Sequence, residues 1–177
     1  MARRKQLSAV RSPEMATERQ LATRARAMSE FELALIVVTN TFHQWVTRCG
    51  SAAGIAGLST LDLLVMHFLC NRHRSMRAAD IAFALSIEDI HLVVYSLKKL
   101  VRLQLMARKR SGNEMLYSVT EAADATYERY QGIRSKCLIK SLEMLHSPEH
   151  DLPVITGMLR AFAGIYEQAA RTAATNP

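Results

Sequence analysis

Apolar positions organise this chain into blocks of helical spacing, broken once by a stretch of alternation. From Ser29, which can cap a helix, Phe31, Leu35, Val38, Phe42 and Trp45 recur every three or four residues, the period of one helix face. Leu33, Ile36 and Val37 fall off that stripe. The helix is therefore apolar on more than one side and is expected to be covered by a neighbour, a second subunit among the options. After a small-residue loop over 49–58, Ser59 and Asp62 read as a capping box. Leu61, Leu64, Val65, Phe68 and Leu69 then predict a short core helix. A basic turn from Asn71 to Ser75 leads into a short helix over 77–85, where Ala78, Ala79 and Ala82 permit close contact and Ile81 and Leu85 face the core. Ser86 with Asp89 predicts the start of another helix, running to about Leu103. Its buried stripe is Ile90, Val93, Val94, Leu97, Leu100 and Val101, and Glu88, His91, Leu92, Tyr95, Lys99 and Arg102 project from the other side.

The period then changes. Residues 105–109 and 115–119 read as two strands joined by a Ser111-Gly112-Asn113-Glu114 hairpin turn. Thr120 can cap a helix that continues through Tyr127, Tyr130 and Leu138 to about Leu145. The stretch 147–153 breaks it, and Pro153 suits the first turn of a last helix. There Ile155, Met158, Leu159, Phe162, Ile165, Tyr166 and Ala169 repeat at helical spacing. Residues 1–28 lack a sustained apolar period and read as a flexible basic arm, with transient helix from Glu18.

Composition narrows the class. In 177 residues, 49% are hydrophobic, with seven glycines and four prolines, so the chain is expected to bury a core and to be mostly helical. No apolar run approaches the ~20 residues of a membrane span, and the first thirty residues lack the apolar segment of a secretory signal. A cytoplasmic location is expected. Cys49, Cys70 and Cys137 are scattered and read as reduced thiols, not a disulfide framework or zinc site, with buried, inert cysteine as the expectation. The two ligand types in Cys70-Asn71-Arg72-His73 have no second pair, so no metal and no cofactor is expected. Phosphate-cradling glycine loops, nucleophile elbows and zinc-protease helices are missing, and enzymatic activity is not expected.

The net charge of +7 matters because of where it lies. Residues 1–28 carry Arg3, Arg4, Lys5, Arg11, Arg19, Arg24 and Arg26 against Glu14 and Glu18. A second group, Lys98, Lys99, Arg102, Arg108, Lys109 and Arg110, has no acid anywhere from 98 to 113. Such groups favour a polyanion, although a solvated face or a helix C-terminus complementing its dipole explains either alone. Two short helices, a tight turn and a hairpin with a basic first strand make the winged helix-turn-helix layout. In it the second helix enters the major groove.

The order of these pieces resembles the MarR family of winged-helix regulators. The stretches that carry the likeness are Leu58–Val65, Ala79–Leu85, Leu97–Arg108 and Leu116–Glu121, and with the flanking helices it spans about residues 30–170. The resemblance implies a mainly α fold with a small β-hairpin wing, a winged helix-turn-helix flanked by long N- and C-terminal dimerisation helices. On this reading a basic arm over 1–28 precedes one domain over 29–177. Its DNA-binding lobe is at about 59–121, and its dimerisation helices are at about 30–48 and 121–172. It implies a homodimeric regulator of transcription on double-stranded DNA. His91 and Tyr95 would read bases, Lys98, Lys99, Arg102, Arg108, Lys109 and Arg110 would contact phosphates, and Phe31, Leu35, Trp45, Leu159, Phe162 and Tyr166 would form the dimer interface. A small-molecule effector is common in that family, but no residue here specifies one. The chain departs from the family at Gln104, where a glycine usually ends the recognition helix, and lacks the Asp-x-Arg wing motif. The turn before the recognition helix is about one residue longer than usual. That helix opens on Glu88 and Asp89 with no Arg, Asn or Gln in its first half. An apolar, acidic start also suits a winged-helix module that docks on protein and holds DNA weakly.

Overall fold

A computed structural model of the chain describes residues 13–142 and 148–175. The expectations for Arg3, Arg4, Lys5 and Arg11, for the helix end at about Leu145 and for Ser147 lie outside those residues, and the rest of the expected break, 148–153, is helical. Two compact units divide after Arg48. The first is most of α1 (Pro13–Ala52), a single helix of 40 residues. It begins well before Ser29, the cap expected from the sequence. Pro13 stands in the first turn, where its missing N–H costs nothing, and residues 14–28 are mostly strong helix formers without glycine. Ser29 lies mid-helix, its hydroxyl donating to the Ala25 carbonyl at 3.2 Å. Phe31, Leu35 and Trp45 are half-buried, while Leu33, Ile36, Val37, Val38 and Phe42 are exposed.

The second unit starts at Cys49. Its elements are α2 (Thr60–Arg72), β1 (Met76–Arg77), α3 (Ala78–Ala84), α4 (Ile90–Arg102), β2 (Met106–Ser111), β3 (Glu114–Val119), α5 (Glu121–Arg134) and α6 (Pro148–Thr175). Leu63, Val65, Met66 and Leu69 of α2 meet Ile81, Val93, Leu97 and Leu100 in a fully buried core. The expected face of α2 is thus rotated: Leu61, Leu64 and Phe68 are only half-buried. This helix is apolar nearly all round, so periodicity could not choose a side. Gly50 lies against α2, where a Cβ would come within 2.9 Å of the Leu63 side chain.

The strands form one antiparallel sheet in the order β1-β3-β2, with Met76 opposite Tyr117 and Met106 opposite Val119. The two-residue β1 was not expected; it takes only Arg77 from the residues assigned to the short helix. The hairpin closes at Ser111 and Glu114 around Gly112, whose φ of 60° suits the first central position of a two-residue type II′ turn. Thr120 caps α5, accepting the Ala123 amide at 3.2 Å. Past Arg134 the helix widens into a π-turn over Ser135–Ile139 before a last turn at Lys140–Leu142. In α6, Pro153 lies inside the helix, not in the first turn as expected. From Asp151 to Thr175 every side chain of α6 is exposed except half-buried Phe162.

Candidate nucleic-acid interface

The outward face of α4 is set by what holds its inner face. Val93, Ser96, Leu97 and Leu100 are buried. At the α2 end, the Ser59 hydroxyl accepts the Asp62 amide at 3.2 Å and the Ser59 amide donates to Asp62 Oδ2 at 2.9 Å, the expected capping box. The same carboxylate takes a second donor, Lys99 Nζ at 2.7 Å, which also donates to the Gly57 carbonyl at 2.9 Å. Burial works to raise the Asp62 carboxyl, but Lys99 and the Ser59 amide outweigh it and hold the group below its ordinary range. Lys99 belongs to the basic run in the sequence, yet its ammonium is turned inward and bolts α4 to α2. Its helical position, between the core arc and the outer face, left both directions open.

At the other end of α4 the cap is Asp89, whose carboxylate accepts the His91 amide at 2.8 Å. The expected cap, Ser86, instead sits at φ 52°. There its amide donates to Phe83 O, and the next amide, of Ile87, donates to Ala82 O, closing α3 in a Schellman motif. One of the two acids at the start of α4 therefore satisfies the helix itself. Ile90, assigned to the core from periodicity, is exposed, as are His91, Leu92 and Tyr95. At the far end Gln104 takes a left-handed φ of 59°. Gln104 N donates to Val101 O and Leu105 N to Leu100 O, each at 3.0 Å. The helix ends in the left-handed manner a glycine would allow, with glutamine in its place.

The wing places its cations by strand pleat. Successive side chains of β2 alternate between faces, so Arg108 and Arg110 share one face and Lys109 takes the other. Arg108 pairs across from Tyr117. Those two, with Tyr95, Lys98, Val101 and Arg102, line an open cleft of about 400 Å³ between α4 and the wing. The structure thus brings together Tyr95, Lys98, Arg102 and Arg108, but neither Lys99 nor Lys109. Arg110 Nε is folded back on the turn, donating to the Gly112 carbonyl at 3.1 Å. Sequence reasoning missed Tyr117, which only the strand register reveals. It also missed Arg77, which grips Asp80 through two donors at 2.8 and 2.7 Å and Glu114 through a third at 2.6 Å. This network ties the base of α3 to the wing and lowers the Asp80 carboxyl through its hydrogen bonds to Arg77. Opposite charges at 77 and 114 were the only signal for it.

Cys49 and Cys70 are buried, as expected, whereas Cys137 is exposed. Burial raises the Cys49 thiol and pushes Cys70 up to about 12. Among the described residues no three His, Cys, Asp or Glu side chains are grouped to hold a metal, and no helix is long and apolar enough to cross a membrane. His67 lies against Tyr127 and Tyr130, with ring centroids 5.3 and 4.1 Å away, and burial lowers it to about 4.

A half-exposed helix anchored on two others, with a three-stranded wing and a shared basic cleft, defines a winged helix-turn-helix. Residues 58–123 match the family described as "Winged helix DNA-binding domain". Over most of its length the chain has the fold of MarR family regulators. AbfR of Staphylococcus epidermidis is similar with a TM-score of 0.67 at 16% identity, over 82% of this chain and 97% of that one. NMB1585, a MarR family regulator from Neisseria meningitidis, gives 0.64 at 16% identity over 81% and 95%. A structure of overoxidized AbfR bound to DNA gives 0.60 at 14% identity over 80% and 98%. No curated protein sequence matches the chain.

Proposed function

We propose that this protein is a homodimeric, sequence-specific regulator of transcription that lays α4 in the major groove of double-stranded DNA. The observation that carries the reading is the cleft in which Lys98, Arg102 and Arg108 converge beside the exposed face of α4. Three cations from two elements on one side of a groove-sized helix suit the backbone phosphates that flank a major groove. In this reading His91 and Tyr95 meet base edges, Arg110 adds a cation on the Arg108 face of the wing, and Lys109 adds one on the opposite face. The likeness to a fold seen bound to DNA in AbfR supports DNA as the partner.

Dimerisation is argued from α1 and α6. In α6, Leu152, Val154, Ile155, Met158, Leu159 and Ile165 are exposed, and α1 exposes a comparable row. Faces this apolar on helices this long are expected to be covered by a second copy, with Phe31, Leu35, Trp45, Phe162 and Tyr166 at its edges. A small-molecule effector remains part of the proposal without a named site.

Selection of bound fragments from source-genome DNA across a salt series tests the function. Recovery of a few fragments sharing an inverted repeat is the expected result. Uniform recovery that vanishes by moderate salt would refute it and favour a protein-docking module. Phe83, 88% exposed on α3, is the observation on that side. Light scattering at micromolar concentration tests the dimer, and a monomer there would refute it.

A further inference from the structure

The first turns of α4 carry an unusual set of side chains for a helix that reads bases. Ile90, His91, Leu92 and Tyr95 are exposed, and no Arg, Lys, Asn or Gln appears before Lys98. Asp89 is occupied as the cap, its carboxylate accepting the His91 amide. The bidentate pairs that mark guanine and adenine need Arg, Lys, Asn or Gln, and this half of the helix has none. Leu92 is 52% exposed in the first turn of α4, one residue from His91 and three from Tyr95, and Tyr95 lines the cleft with Lys98, Arg102 and Arg108.

The major groove offers an aliphatic side chain one apolar partner, the C5-methyl group of thymine. Against cytosine the same side chain would cover an amino group without replacing its water. The basic cleft on the same helix commits α4 to DNA, and its exposed aliphatic position then has a definite complement. On the reading of α4 as the groove-entering helix, we infer that Leu92 is a specificity-determining residue that recognises a thymine methyl in each half-site. The methyl is the recognised group, so 5-methylcytosine at that position should be bound more tightly than cytosine. The readout discriminates by methylation as well as by sequence.

The test begins with duplexes selected from a randomised pool by the full-length protein. In a selected duplex each thymine is replaced singly by deoxyuridine, which removes only the methyl group. One thymine per half-site is expected to lose about fourfold in affinity, the worth of one buried methyl-sized group. Leu92→Ala should bind more weakly with no thymine–uracil difference at that position. Leu92→Met should keep the difference, and neither variant should change the salt slope, because no phosphate contact is lost. Specific selection with no thymine sensitive to demethylation would overturn the inference while leaving the function standing. So would a difference that survives in a folded Leu92→Ala. A pool that yields no preferred sequence would overturn the function first, and this inference with it.

Discussion

Replacing Lys99 by methionine separates two roles that the sequence alone cannot tell apart. Methionine keeps most of the stem and removes the ammonium. The Asp62 side chain is 4% exposed and that of Lys99 27%, so the substitution strands a buried carboxylate whose nearest cation is gone. Breaking a buried pair by removing one partner costs about 3–5 kcal/mol. The partial exposure of Lys99 screens this pair, so about 3 kcal/mol, the low end, is expected. Asp62→Asn should cost somewhat less, since the side-chain carbonyl can still accept the Ser59 amide. The double variant should fall short of the sum by about 1–2 kcal/mol of coupling. Urea unfolding at fixed protein concentration reads all three, with an unchanged denaturant slope showing that the unfolding reaction is the same. DNA binding supplies the second arm. Lys99→Met should leave the salt slope as it was, whereas Lys98→Met should reduce it by about 0.9. A stability loss below about 1 kcal/mol, the range of exposed pairs, together with a reduced salt slope, would show that Lys99 faces phosphate and that the lock is not there.

Other outcomes are accessible with ordinary tools. Acid should destabilise the protein through His67, which takes a proton near pH 6.5 when unfolded but only at about 4 when folded. The unfolded state then binds more protons as pH falls through that window, and stability drops by up to about 3 kcal/mol. Asp62, its folded carboxyl lowered, adds a further loss at lower pH, and a His67→Phe variant with an unchanged pH slope would refute the first part. Gln104→Gly should raise stability by about 0.5–1 kcal/mol by relieving the left-handed glutamine; no change in urea midpoint would argue against strain there. In the native protein a thiol reagent should modify Cys137 quickly and Cys49 and Cys70 only on unfolding, as mass spectrometry of the labelled peptides would show. Glu114→Gln should loosen the wing and speed amide exchange in β2 and β3 without altering exchange in α2; equal protection in both proteins would show that Arg77 does not tether it.

Order and type of elements were legible because the two periods are clean: α4 and the hairpin, with its Gly112 turn, lie where the alternation predicts. Legibility failed where the sequence offered equivalent choices. The α2 helix is apolar on all sides, so its buried face could only be set by its neighbours. Ser86 and Asp89 are both good caps, and the left-handed close of α3 took the first, leaving the second for α4. Lys99 looked like its neighbour Lys98 because a run of charge does not reveal which members find a buried partner. Arg108, Lys109 and Arg110 formed one group in the sequence and two in space. The pleat separates them, and the strand register needed to apply it was not knowable beforehand. Arg77, Glu114 and Tyr117 come together only once β1 joins the sheet.

Thr120 lies between β3 and α5 as a joint without slack. Its hydroxyl is within 2.8 and 3.0 Å of the Gln104 and Leu105 carbonyls, and its amide reaches Leu105 O at 3.3 Å. The Thr120 hydroxyl oxygen also accepts the Ala123 amide in the first turn of α5. No spacer separates the last residue of the wing from the first turn of the long helix behind it. Thr120 thus ties the start of α5 to the end of α4 as well as to β3. A tilt imposed at the far end of α5, where the π-turn widens the coil, would therefore reach the wing and α4 together and not as independent motions.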